Sequence, residues 1–156
     1  MLPGDRDYNE ARSLWNGMVD RRPALIARCT NVTGNAMCDG GIVINLSLMR
    51  RGDVDVGRRM VHAEGGVLLG DLDAATQAYG LATPVGINST TGIAGLTLGG
   101  GIGHLMRQHG LTIDNLVAVE MVTATWESVC ASEDENGDLF WAVRGGGADS
   151  WDLDHK

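Results

Sequence analysis

Six glycines fall between Gly92 and Gly103, inside the segment PVGINSTTGIAGLTLGGGIGHLMRQHGLTIDNL that runs from Pro84 to Leu116. Glycine accepts φ > 0 and lets backbone approach another group closely, but it weakens a packed helix or strand. So dense a run reads as a loop. Successive N–H groups in such a loop can line an anion-binding concavity, and a helix start beyond it adds a positive end. The pattern therefore predicts a loop that cradles a phosphate or diphosphate. A turn serving close packing alone would not need six glycines in twelve residues, and it would leave Thr90, Thr91 and Thr97 without a role.

Two common phosphate loops do not fit. The P-loop of nucleotide triphosphatases needs a lysine after its last glycine, and the only lysine here is the C-terminal Lys156. A G-x-G-x-x-G dinucleotide fingerprint started at Gly99 or Gly101 ends on His104 or Met106 where glycine is required. The spacing belongs to neither.

The 156 residues suffice for one domain or two small lobes. A formal net charge of −8 and a pI near 4.8 argue against nucleic-acid or anionic-membrane partners, since counterion release needs a basic surface. No apolar run reaches membrane-spanning length. The stretch MLPGDRDYNEARSLWNGM carries charges where a secretory signal would be apolar, which makes the cytoplasm the expected compartment. Cys29, Cys38 and Cys130 are odd in number and lack metal spacing, so neither a disulfide nor a metal site is expected. His104 and His109 stand five apart without the H-E-x-x-H pattern; with His62, they read as structural.

Hydrophobic periodicity predicts a helix within Asp5–Asp20, with Tyr8, Ala11, Leu14, Trp15 and Met18 on one face. Strands are expected at Ala24–Cys29, at Ile42–Leu46 (buried, after the Cys38–Gly41 turn) and at Met60–Ala63. A helix is expected over Gly70–Tyr79, burying Leu69, Leu72, Ala75 and Tyr79 and ending at Gly80. Leu105–His109 reads as a short helix, Val117–Thr123 and Glu127–Ala131 as paired strands, and Asp138–Val143 as a helix. Thr125-Trp126 occupies a tight turn that favours Asp-Gly or Asn-Gly, which predicts a looser turn or local strain. The class is α+β.

Three motifs in order, GNAMCDGGIVINLS (Gly34–Ser47), the Pro84–Leu116 run and ENGDLFWAVRGGG (Glu135–Gly147), resemble the flavin-binding domain of berberine-bridge-enzyme-like FAD-linked oxidases. These belong to the vanillyl-alcohol-oxidase, or p-cresol-methylhydroxylase (PCMH), type of flavoprotein. The resemblance covers most of Pro23–Gly147 and implies an FAD-binding PCMH-type domain of two small α+β subdomains. On it, residues 1–22 are a helical lead-in, 23–147 the FAD-binding domain and 148–156 a solvated tail. Carried over by position, Pro84, Gly86, Ser89, Thr90, Thr91 and Gly92 would meet the isoalloxazine and ribityl parts of FAD. Gly95, Leu96, Gly99, Gly100, Gly101 and Gly103 would meet the pyrophosphate through main-chain N–H groups, with Asp114 and Val119 near the adenosine.

The chain also departs from the resembled pattern. Some members bond flavin through a cysteine in this loop, where Asn88 stands here. Members carry a helix, a strand and an R-G-G-G-H-type loop, with the histidine that bonds flavin, before the N-x-x-G segment. Here Ala27–Thr30 runs almost directly into Asn31–Gly34, a loss of roughly two dozen residues, about one βα unit. The substrate domain that usually follows is also missing, so the chain reads as internally deleted and C-terminally truncated. The expectation is an FAD-linked oxidoreductase domain that is poorly active alone, holds FAD non-covalently and has sheet edge open to self-association. The alternative is a catalytically inactive flavin- or nucleotide-binding module.

Overall fold

The computed structural model describes residues 1–11, 22, 25–28, 40–123 and 125–145. The chain forms two units, Met1–Leu48 and Met49–Lys156. In the first, α1 (Tyr8–Ala11) is a single turn that buries the Tyr8 ring against Met1 and Ala11. It is preceded by a turn in which Asp5 Oδ2 accepts the Leu2 amide at 2.8 Å. Leu14, Trp15 and Met18, expected on the same helix face, lie outside the described residues. Strands β1 (Leu25–Arg28) and β2 (Ile42–Asn45) pair in parallel, with Leu25 opposite Ile42. Ile42, expected to be buried, is 63% exposed, in a sheet that has two strands among the described residues.

The second unit opens with a hairpin of β3 (Gly52–Asp55) and β4 (Met60–Ala63), in which Gly52 faces Ala63. Strand β3 has no counterpart among the sequence expectations, because glycine and aspartate are depleted in strands. Local bonding compensates: Asp55 Oδ1 accepts the Arg58 amide at 3.0 Å and closes the turn.

Helix α2 (Leu69–Gln77) follows, with Leu69 and Leu72 fully buried beside Val67 and Val85. Its inward stripe continues to Thr76 rather than Tyr79, which lies past the helix end and is 56% exposed. The Thr76 hydroxyl is satisfied by donating to the Leu72 carbonyl at 3.1 Å. Gly80 takes φ +66, and the reversal lets the Leu81 amide reach the Thr76 carbonyl at 3.1 Å.

Helix α3 (Ile93–Leu98), helix α4 (Met106–His109) and a 3-10 turn (Thr112–Asn115) lead to the antiparallel pair β5 (Ala118–Val122) and β6 (Ser128–Ser132). Helix α5 (Gly137–Val143) packs Phe140 and Val143 onto Met121 and Ala131, with Leu98, Leu116 and Val119 at the margin. The Gly145 amide then bonds the Leu98 carbonyl at 3.1 Å, tying the end of α5 to the end of α3. The α+β class holds, with three two-stranded sheets among the described residues. No helix among the described residues is long and apolar enough to cross a membrane.

The strain expected between β5 and β6 is present. Trp126 sits at φ +66 while its side chain is 85% exposed. The left-handed conformation costs an ordinary residue about 1–2 kcal/mol, and so exposed an indole returns little by burial. Trp126→Gly should stabilise the chain by about 1 kcal/mol, raising the thermal midpoint by about 2–4 °C. Thermal melting followed by circular dichroism checks this, and an unchanged or lower midpoint contradicts it.

Candidate functional site

The approach to the glycine segment is shaped by Asn88. Its Oδ1 accepts the Thr90 amide at 3.1 Å and the Thr90 hydroxyl at 2.9 Å, and its carbonyl accepts the Thr91 amide at 3.1 Å. The turned strand is then bound to the start of α2: Leu69 and Gly70 amides donate to the carbonyls of Thr91 and Ser89, each at 2.9 Å. The Ile93 amide reaches the Val67 carbonyl, also at 2.9 Å. A side chain at Gly70 would press on Ser89, with its Cβ 3.1 Å from that of the serine.

The expected continuous loop from Gly92 to Gly103 is not observed. Its first half is α3, with Gly92 as the residue before it, because Ile93, Ala94, Leu96, Thr97 and Leu98 supply enough helix-forming and buriable surface to outweigh Gly95. The threonines also find partners. Thr97 is buried and donates to the Ile93 carbonyl at 2.7 Å, and Thr90 is held by Asn88, so neither needs a ligand to explain it.

The loop proper starts at Gly99. Gly100 and Gly101 take φ +108 and +76, and their carbonyls accept the amides of Ile113 and Thr112 at 3.0 Å each. A Cβ on Gly101 would fall on the Thr112 side chain, and one on Gly103 would fall on the Val85 carbonyl. These two glycines are therefore explained by protein packing. Gly92 and Gly95 have open space where a side chain would project. Ser89, Thr90, Gly95 and Gly99 are exposed, while Pro84, Thr91 and Leu96 are half-buried. Gly86, also half-buried, touches Leu96 and Leu69. Gly100 and Gly101 are buried, Gly103 is half-buried, and Ile102 between them is exposed.

Two residues expected at the far end have visible structural tasks. Asp114 Oδ2 accepts the Leu111 amide at 2.8 Å, capping the 3-10 turn, and Val119 belongs to the second apolar cluster. His62, His104 and His109 are exposed and lie on separate segments. Cys130 is a half-buried free thiol in β6, and Cys29 and Cys38 lie outside the described residues.

What remains is a short run of main-chain donors without a partner among the described residues. The amides of Gly101, Ile102 and Gly103 bond no described residue. Thr112 is 5% exposed, and its Oγ1 is buried without a partner. Ile102 is 69% exposed and Gly103 half-buried, so the main-chain donors of this turn suit an anionic ligand such as a nucleotide diphosphate, whereas the enclosed Thr112 hydroxyl is part of the packing against Gly101. Thr112 was invisible in the sequence, since a single threonine between Gly110 and Asp114 carries no pattern.

Comparison with known proteins identifies the family. A family model described as FAD binding domain matches residues 13–129. The FAD-linked oxidoreductase pgmH of Aspergillus terreus is 40% identical over 169 residues, covering 92% of this chain and 34% of that protein. The crystal structure of 6-hydroxy-D-nicotine oxidase from Arthrobacter nicotinovorans superposes with a TM-score of 0.85 at 32% identity, covering 93% of this chain and 38% of the other. Physcomitrella patens BBE-like 1 gives a TM-score of 0.82 at 26% identity, covering 92% and 37%. The chain thus spans about a third of the length of these relatives. It belongs to the FAD binding domain family, with the incomplete PCMH-type α+β fold of FAD-linked oxidoreductases.

Proposed function

We propose that this chain is the flavin-holding part of an FAD-dependent oxidoreductase, binds FAD non-covalently and is a poor catalyst alone. The observation that carries the reading is the run of main-chain amides at Gly101–Gly103 that bond no described residue, in a chain that belongs to the FAD binding domain family. Bound FAD would supply hydride acceptance from a substrate C–H bond and reoxidation by oxygen. The chain's own contribution is to hold and orient. Main-chain N–H groups meet the diphosphate without a cation, Gly92 and Gly95 leave room for close approach, and the Asn88 turn sets Ser89, Thr90 and Thr91 ahead of the glycine run.

Non-covalent binding is supported by the residue at the position of the family's linking cysteine. It is Asn88, and its side-chain oxygen is engaged by Thr90. It is supported too by aligned length. The alignment with the Aspergillus relative runs over 169 residues but draws on 92% of a 156-residue chain, a shortfall close to the βα unit and R-G-G-G-H-type loop expected near residue 30.

Acid precipitation of the FAD-loaded chain should leave the yellow colour in the supernatant; colour held in the pellet would refute non-covalent binding. Titrating the purified chain with FAD, followed by flavin absorbance and fluorescence, tests the binding itself, and no uptake would overturn the proposal.

The glycines separate packing from cofactor contact. Gly95→Ala fills open space inside a helix and should stabilise the apo chain by about 0.5–1 kcal/mol. The same methyl should weaken FAD binding if the nucleotide rests there. Gly103→Ala forces its Cβ onto the Val85 carbonyl and should cost several kcal/mol, about 3 or more. Melting and FAD titration on both variants check the pair; a Gly95→Ala chain with unaltered FAD affinity would remove Gly95 from the site.

A further inference from the structure

We propose that the outer edge of β1 is a self-association surface, at which a second copy of this chain pairs its own β1 antiparallel across a two-fold axis. In the first unit Leu25–Arg28 lie in parallel on Ile42–Asn45, and among the described residues no further strand joins them. One more rung precedes the pair, where the Gly40 amide reaches the Arg22 carbonyl at 3.2 Å. Parallel strands ordinarily belong to larger sheets covered on both faces, and two strands alone are marginal. Alternate residues of a strand turn their N–H and C=O to opposite edges, so half of β1 faces away from β2. No described residue bonds that half.

The open position has a cause in the sequence. A crossover unit that follows a strand ordinarily returns its own strand beside the first, and β2 already holds one side of β1. The βα unit of roughly two dozen residues that the resembled pattern carries near residue 30 belongs on the other side. This chain lacks it, and the edge of a second copy is the strand that can replace it. Antiparallel about a two-fold axis, each outward donor of one edge meets an acceptor of the other, and the assembly closes at two.

The remaining strands are guarded by charge, which opposes pairing between copies. β3 carries Asp53 and Asp55, in exposed ion pairs with Arg51 and Arg58 at 2.7 and 3.8 Å. β5 contains Glu120, and β6 is flanked by Glu127 and Glu133. β1 reads Leu-Ile-Ala-Arg, with one charge in its last residue. A two-fold axis between Ile26 and Ala27 keeps the two copies of Arg28 at opposite ends of the new ladder.

The test is sedimentation equilibrium of the 156-residue chain over a wide concentration range, with amide hydrogen exchange at matched concentrations. A monomer–dimer equilibrium is expected, with exchange at residues 25–28 slowed about tenfold or more in the dimer and exchange in β3 and β4 unchanged. Ala27→Lys should weaken the dimer at least about tenfold while the circular dichroism spectrum holds. A chain with the corresponding βα unit of the Aspergillus terreus relative inserted between Thr30 and Asn31 should be monomeric. A wild-type chain that stays monomeric throughout would overturn the proposal. So would a dimer whose residues 25–28 exchange as in the monomer, a dimer that survives the insertion, or open-ended aggregates that grow past two copies. Flavin plays no part in these readouts, so failure of FAD uptake leaves the inference standing.

Discussion

Two hydrogen bonds of 3.0 Å, from Ile113 and Thr112 to the carbonyls of Gly100 and Gly101, hold the glycine turn against the 3-10 turn. They form only because the glycine side of the contact has no side chain in the way. Gly100 and Gly101 must take positive φ, Gly101 must accommodate the threonine, and Gly103 must pass beneath the Val85 carbonyl. Three distant stretches of the chain are thereby fixed together: the run after α2, the end of α3 and the lead into β5. Apolar packing then locks the arrangement, since Leu96 leans on the Val67–Leu72 cluster and Leu98 on the Met121–Phe140 cluster. Helix α3 is the bridge between the two cores of the second unit.

That closeness has a cost in polar satisfaction. Carbonyls on the inner side of the turn are used for docking, while the amides that follow point to no acceptor. The Thr112 hydroxyl is buried without a partner, and such a group opposes stability by about 1–3 kcal/mol.

Much of the architecture was legible because it obeys simple periodicities. β4, β5, β6, α2 and α5 lie within a residue or two of their expected positions, since alternating or i, i+3 apolar residues and glycine stops mark them. β3 was hidden by its two aspartates and glycine, and α3 by the glycine count around it. The stripe of α2 was misjudged at one end, where an internally bonded Thr76 is easier to bury than Tyr79. At the site, glycine content flagged the right segment but not which glycines do what. Gly101 and Gly103 answer to Thr112 and Val85, contacts between segments that no local pattern encodes. Thr112 could not be singled out from sequence, because its distinction is a missing partner.

The charge of the chain fits the same picture. With a net charge of −8, long-range attraction for a diphosphate is unfavourable, and the nearest basic side chain by sequence, Arg107, is exposed on α4. Recognition must then come from short-range donors whose strength depends on direction and on exclusion of water. Main-chain N–H groups meet that need best, being rigidly placed by the docking bonds and already without other partners. A lysine in their place would add attraction but would have to be ordered from a flexible stem, at an entropic cost the fixed backbone avoids. The neutral cradle is thus the form of anion site that an acidic chain can build from glycine, and its rigidity is inherited from the turn that docks it.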